Sequence, residues 1–466
     1  MKLNLAGGTY TERSLPLDAQ RCINLYPIND KTGSEKTALY GTPGLNSFST
    51  AGLGAIRGCF AAANDRAFVV SGSELYELDS AGVATSRGAL LTSAGICTLE
   101  DNGFQLAICD QQKLYIFTYL TNVLVQVTDP DFPTSVGAVD FIDGYFIVNE
   151  NDTGKFYIST LYDGLSWSAL AFASAESSPD ELKRAVNFVG YAGLFGAKTL
   201  EVWRNTGDSV FPFSRVSSAT QIGTISPFTV ISIDTSVFWV GSNDQGNGIV
   251  YKASGLTPTR ISTNAIELIL QAVSDPSQLR SWTYQKDGHV FYIITGSDLE
   301  TSLVYDISTE LWHERAYLNS DGTYGQHLGT CAMYAFGKTL VGSRVDGAVY
   351  ELTQDVYADD TNPIKRVRVL THLVDELKRV RYNTLTLLVE TGVGLQTGQG
   401  SAPVISLRVS KDGARTWSDY ITIEIGAAGK YQTEVSFRRL GIAQEMTFEI
   451  SISDPVKVSW IGAYLK

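Results

Sequence analysis

Short apolar runs, broken every few positions by Gly, Asn or Asp, fill most of the chain. Cys59-Phe60-Ala61 precedes Ala67-Phe68-Val69-Val70, and Ile96-Cys97-Thr98-Leu99 precedes Phe104-Gln105-Leu106-Ala107-Ile108. Val139-Asp140-Phe141-Ile142 precedes Tyr145-Phe146-Ile147-Val148, and Val230-Ile231-Ser232-Ile233 precedes Val237-Phe238-Trp239-Val240. Runs this short, rich in β-branched and aromatic residues, predict paired strands. The breaks Asn64-Asp65, Asp101-Asn102-Gly103, Asp143-Gly144 and Asp287-Gly288 supply residues that tolerate the left-handed angles of tight hairpin turns.

A second pattern lies over the first. An apolar-Tyr-x-apolar element recurs at Tyr76, Tyr115, Tyr157, Tyr251, Tyr305 and Tyr350, and Trp203 fills the wide gap between Tyr157 and Tyr251. The spacing averages about 46 residues, the length of a propeller blade. A fourth run often follows, as in Val123-Leu124-Val125-Gln126-Val127 and Trp167-Ser168-Ala169-Leu170. Four strands per unit would leave an apolar face wet unless neighbouring units stack around an axis. Residues 56–358 are therefore expected to form a seven-bladed β-propeller. Six or eight blades stay open, because the Trp203 gap and the long step from Tyr251 to Tyr305 could hide a miscount.

The ends break the rhythm. Residues 1–55 carry Tyr26-Pro27 and Gly41-Thr42-Pro43-Gly44 and read as an extended arm that adds a closing strand or reaches a neighbour. After a linker near 355–363, alternating strands such as Val404-Ile405-Ser406-Leu407-Arg408-Val409 and Thr447-Phe448-Glu449-Ile450-Ser451-Ile452 predict a β-sandwich over 364–466. The whole is an all-β chain.

Composition narrows the function. With 44% hydrophobic and 18% charged residues the chain of 466 residues folds, and no apolar run approaches the length of a membrane span. The start, Met1-Lys2-Leu3-Asn4-Leu5-Ala6-Gly7-Gly8, lacks the apolar stretch of a secretory signal, so synthesis and retention in the cytosol are expected unless assembly carries the protein elsewhere. Cys22, Cys59, Cys97, Cys109 and Cys331 are too scattered for a disulfide framework and read as reduced, mostly buried residues. A formal charge of −13 argues against gripping nucleic acid over the whole surface, while leaving room for DNA that slides past.

Candidate chemistry is sparse. His289, His313, His327 and His372 form no metal-ligand spacing, so no metal and no cofactor are expected. No Gly-x-Ser-x-Gly elbow occurs, and Gly337-Lys338-Thr339 lacks the earlier glycine of a phosphate-cradling loop and reads as a hairpin turn. Asn149-Glu150-Asn151-Asp152-Thr153-Gly154 resembles the start of a calcium loop, but Thr160 stands where its acid is required. Ser410-Lys411-Asp412-Gly413-Ala414-Arg415-Thr416-Trp417 resembles the Asp-box hairpin of sialidases, a folding element, with Ala414 at the usual second glycine. Of the two basic runs, Lys365-Arg366-Val367-Arg368 and Lys378-Arg379-Val380-Arg381, the first would put Arg366 and Arg368 on one strand face. Such a face is solvated or touches phosphate or an acidic partner. No catalytic, cofactor or metal residue is assigned, and partner-binding residues stay unknown.

Several segments resemble the packaged-DNA stabilisation proteins of short-tailed bacteriophages, which form the nozzle or hub closing the tail. They are Arg21-Cys22-Ile23-Asn24-Leu25-Tyr26-Pro27 with Leu39-Tyr40-Gly41-Thr42-Pro43-Gly44-Leu45, Leu200-Glu201-Val202-Trp203-Arg204-Asn205-Thr206-Gly207, and Phe238-Trp239-Val240-Gly241 through Gly248-Ile249-Val250-Tyr251. Ser410 to Trp417 and Arg438-Arg439-Leu440-Gly441 extend the likeness to the last domain. The resemblance implies a non-enzymatic virion protein in a homohexameric ring, set between a head-to-tail adaptor and the tail needle and tailspikes or fibres. Double-stranded DNA would pass through without sequence-specific binding. The rival reading is a glycan-active propeller, either hydrolase or lectin-like, and a plainer one is a propeller scaffold with other protein partners.

Overall fold

A computed structural model of the chain describes residues 1–29, 37–175, 180–216 and 219–466. Seven antiparallel sheets, each with four strand positions, follow one another along the chain. Blade 1 runs through Ile56–Ala61, Ala67–Ser71, Glu74–Leu78 and Ala84–Ala89. Blades 2 to 6 begin at Thr98, Val136, Leu182, Gly223 and Arg280, and blade 7 begins at Gly329. The repeated aromatic lies on the third strand in every blade, from Tyr76 on Glu74–Leu78 to Tyr350 on Ala348–Thr353.

Stacking explains the apolar runs. Strands are buried on both faces, so each blade packs against two neighbours, as Phe68 and Leu75 of blade 1 pack with Leu106, Ile108 and Phe117 of blade 2. Seven apolar clusters fill the seven interfaces, and the last joins Met333, Leu340 and Val349 of blade 7 to Ile56, Ala67 and Val69 of blade 1. The ring is closed and the count is seven. Left-handed turns fall where the sequence places them: Asp143 and Gly144 have φ of 49° and 89°, and Asp287 and Gly288 have 51° and 79°.

Blade 7 takes its outermost strand from the other end of the chain. Gly44–Thr50 pairs with Ala348–Thr353, Leu45 opposite Leu352 and Asn46 opposite Glu351. The strand leads within a few residues into Ile56–Ala61, so blades 7 and 1 are tied at the rim.

The sandwich is built from both chain ends. One sheet has the order Leu25–Asn29, Thr37–Gly41, Ser459–Leu465, Val380–Val389 and Val435–Ala443, and Lys2–Leu3 adds to Ser459–Leu465. The other runs Ala19–Ile23, Arg366–Val369, Glu445–Ile452, Val404–Ser410 and Ile421–Glu424. Their shared core holds Leu3, Leu5, Cys22, Leu25 and Leu39 beside Leu385, Leu407, Phe437, Phe448 and Trp460. Residues expected as an arm thus lie in the chain's own sheets. The second sheet continues into blade 6, because Ile23 bridges Glu314 on that blade's outer strand, Leu311–Leu318.

Candidate functional site

The place where most polar chemistry gathers is the seam between blade 6 and the sandwich. An outermost propeller strand ordinarily shows one edge and much of one face to water. Here the arm covers that strand, which is why His313, Glu314 and Arg315 are 0%, 2% and 1% exposed. Buried charge needs partners. Arg21 reaches Glu314 with two prongs, Nη2 to Oε2 at 2.6 Å and Nε to Oε1 at 3.1 Å, while Thr301 Oγ1 at 2.8 Å and Thr9 Oγ1 at 3.0 Å also donate to the carboxylate. Burial alone would raise the Glu314 carboxyl, but the Arg21 charge and these hydrogen bonds hold it below its ordinary value.

Three further residues stitch the seam. Asn24, at φ 54°, donates from Nδ2 to the carbonyls of Ala316 (2.9 Å) and Lys365 (3.0 Å) and accepts from the Ala316 amide at 2.9 Å. Arg315 donates from Nη2 to the Pro43 carbonyl at 2.7 Å with its guanidinium over the Tyr284 ring. Thr9 N donates to the Trp312 carbonyl at 2.7 Å, and a Cβ on the adjacent Gly8 would sit 2.5 Å from that oxygen, so this crossing admits only glycine.

The first basic run corrects the expectation of an open or phosphate-touching face. Arg366 and Arg368 do share a strand face, but they are 1% and 0% exposed. The physical reason is the arm strand Ala19–Ile23, which pairs with Arg366–Val369 and encloses the arginines. Arg368 spends its donors on the chain itself: Leu5 O at 2.9 Å, Gly8 O at 2.8 Å, Arg21 O at 3.3 Å and Gln20 Oε1 at 2.6 Å. Asp359 lies near Arg315 and Arg366, and burial pushes its carboxyl up to about 6 against the pull of those two cations. Lys378, Arg379 and Arg381 of the second run are exposed.

The other singled-out segments are structural. In the hairpin after Val404–Ser410, Ser410 Oγ donates to Asp412 Oδ1 at 2.7 Å, and Asp412 accepts from the Thr416 and Arg415 amides at 2.9 and 3.2 Å. Trp417 lies under the Arg408 guanidinium, 5.0 Å from its ring centroid. The Asp-box hairpin spends its polar groups on its own turn. Gly337 sits in a hairpin turn beside Phe336, and Lys338 pairs with Glu351. His313 and His327 are buried and neutral, the former pushed down to about 3 by burial. Among the described residues no group of three or more His, Cys, Asp or Glu side chains is placed to hold a metal ion. No helix among them is long and apolar enough to cross a membrane.

Inside the ring, Glu100, Asp140 and Arg184 stand on the first strands of blades 2, 3 and 4 and line one cavity of about 510 Å³. Burial, then the Asp140 charge, pushes Glu100 well above its ordinary range, while Arg184 opposes the shift. The trio thus sets two carboxyls against one guanidinium at the inner strands of three successive blades. The sequence reading missed both this trio and the Arg21–Glu314 pair. The signal available for the pair was the charged triplet His313-Glu314-Arg315 inside a strand otherwise made of Leu, Trp, Ala and Tyr.

A closed seven-bladed propeller, joined to a sandwich by a shared sheet and the Arg21–Glu314 ion pair, defines a two-domain all-β protein. The family model described as Bacteriophage P22 Gp10, beta-propeller, matches residues 1–357, and that described as Bacteriophage P22 Gp10, beta-sandwich, matches residues 365–466. The chain belongs to the bacteriophage P22 Gp10 family, and its role is that of a structural tail-stabilisation and hub protein of the virion tail. Comparison with curated proteins finds no match. Among solved structures, the extracellular domain of the putative one component system BT4673 from B. thetaiotaomicron is 10% identical, with TM-score 0.45, over 81% of this chain and 47% of that one. This chain thus spans about half of that chain's length. The WD40 beta propeller domain of Doa1 is 12% identical with TM-score 0.43, over 67% and 97% of the two chains. The N-terminal domain of Nup159 is 12% identical with TM-score 0.41, over 71% and 97%.

Proposed function

We propose that this protein closes the channel below the portal, retains packaged DNA and joins the head-to-tail adaptor to the needle and tailspikes or fibres. Six copies form the ring, made in the host cytosol and placed at the tail. The observation that carries the reading is the continuous sheet from blade 6 through Ala19–Ile23 into the sandwich, braced by Arg21 and Glu314. A wall under DNA pressure must be hard to open, and cross-bracing between domains raises the barrier to opening one without the other. Ejected DNA must not adhere, so carboxylates are expected to dominate the ring's channel lining, in keeping with a net charge of −13.

The test is electron microscopy and native mass spectrometry of the purified protein mixed with a head-to-tail adaptor ring. A six-copy ring seated on the adaptor supports the reading. A monomer that ignores the adaptor, or a channel lined mainly by Lys and Arg, overturns it.

A further inference from the structure

The cysteines divide into two kinds. Cys22, Cys97 and Cys109 are buried, whereas Cys59 and Cys331 are half-buried residues with free thiols. Cys59 lies on Ile56–Ala61, the innermost strand of blade 1, and Cys331 on Gly329–Ala335, the innermost strand of blade 7. These strands face each other across the seam where the ring closes, with backbones approaching within 8 Å. Both cysteines pack on the cluster of Ile56, Met333 and Leu340. The neighbouring Cys331, followed by burial, pushes the Cys59 thiol well above its ordinary value.

The seam is fastened unequally. At the rim Gly44–Thr50 pairs with Ala348–Thr353. At the axis no backbone ladder joins Ile56–Ala61 to Gly329–Ala335, so the two strands are held there by side-chain packing. A covalent link at the axis would clamp the same joint from the inside.

We propose that Cys59 and Cys331 are an oxidative crosslinking site that closes the propeller covalently when the protein meets a low-molecular-weight disulfide outside a reducing compartment. One thiolate attacks a sulfur of the small disulfide, forming a mixed disulfide and releasing one small thiol. The second protein thiolate then attacks the protein sulfur of that mixed disulfide and releases the second small thiol. The two protein thiols lose two protons and two electrons, and the small disulfide gains them as two thiols. With Cys59 held protonated, the reaction is slow at neutral pH and accelerates as pH rises.

The test treats the purified, reduced full-length protein with oxidised glutathione at about pH 8.5, where thiolate attack is faster than at neutral pH. Intact mass is expected to fall by two hydrogens, and peptide mapping to recover one linked pair containing Cys59 and Cys331. The unfolding midpoint should rise by roughly 5 °C and return on reduction. Cys59→Ser should stop at a glutathione adduct on Cys331 with no rise. Glutathione remaining on both cysteines, absence of reaction, linkage through another cysteine, or a link that leaves the midpoint unchanged would each overturn the proposal. The wild-type peptide map decides even if the variant fails to fold, and neither readout depends on the role in the tail.

Discussion

The Nε of Arg368 donates to the carbonyl of Leu5 at 2.9 Å, so a strand residue of the last domain holds the fifth residue of the chain across 363 positions. Because the guanidinium also serves Gly8, Arg21 and Gln20, it holds residues 4–9, which have no strand pairing between Lys2–Leu3 and Tyr10–Thr11. Lysine presents three donors from one point and cannot reach these acceptors together. Arg368→Lys is expected to cost about 3 kcal/mol, since buried carbonyls lose their donors. Limited proteolysis should show early cleavage between residues 5 and 18 in the variant and protection in the parent.

The Arg21–Glu314 pair is asymmetric in burial, and the asymmetry predicts an order of effects. The Glu314 side chain is 3% exposed and that of Arg21 27%. Arg21→Ala strands a buried carboxylate and should cost about 3–5 kcal/mol. Glu314→Gln leaves a cation that can still reach Glu300, 3.5 Å away, and should cost less, about 1–2 kcal/mol. Because Glu314 titrates below its unfolded value near 4.5, its contribution is present above that pH and disappears as pH falls through the folded value. Urea titrations of both variants at neutral pH measure the order, and the reverse ranking would contradict this account.

Much of the propeller was legible because its signals are local. A third-strand tyrosine, a hairpin turn and a short apolar run all sit within one blade, so Tyr76 to Tyr350 mark seven units without knowledge of their contacts. The course of the first residues was not legible. Leu3 pairs opposite Ala463, and Ile23 bridges Glu314, at separations for which the sequence holds no periodic trace. The same gap misled the reading of Arg366 and Arg368: alternation placed them on one face correctly, but whether that face meets water was decided by a strand more than 340 residues earlier.

His313 and Asp359 lie close to the seam and predict opposite acid responses. His313 is pushed from 6.5 down to about 3, and its ring nitrogens have no hydrogen-bond partner among the described residues. The unfolded chain therefore binds a proton that the folded chain refuses, and stability falls by about 1.4 kcal/mol per pH unit from this residue as pH drops below 6.5. Asp359 titrates near 6 when folded against 3.8 unfolded, so the folded chain gains a proton first and stability rises over that interval. His313→Leu should flatten the acid limb of a stability curve between pH 6.5 and 4, and Asp359→Asn should steepen it. Parallel curves for the two variants would contradict both assignments.

Ala414 offers a test in the favourable direction. It has φ of 63°, a left-handed backbone that costs a residue with a Cβ roughly 1–2 kcal/mol. The hairpin imposes it, because the Ala414 amide must donate to Ser410 Oγ at 2.9 Å while the next two amides turn toward Asp412. Glycine adopts this angle freely but loses about 0.5–1 kcal/mol through the larger freedom of the unfolded chain. Ala414→Gly should thus stabilise the protein by about 0.5–1 kcal/mol. Asp412→Ala should do the reverse, since it removes the acceptor of three donors from Arg415 and Thr416. Paired thermal melts separate the cases: if Ala414→Gly lowers the midpoint, the turn is not strained and the sandwich tolerates alanine there for a reason of packing.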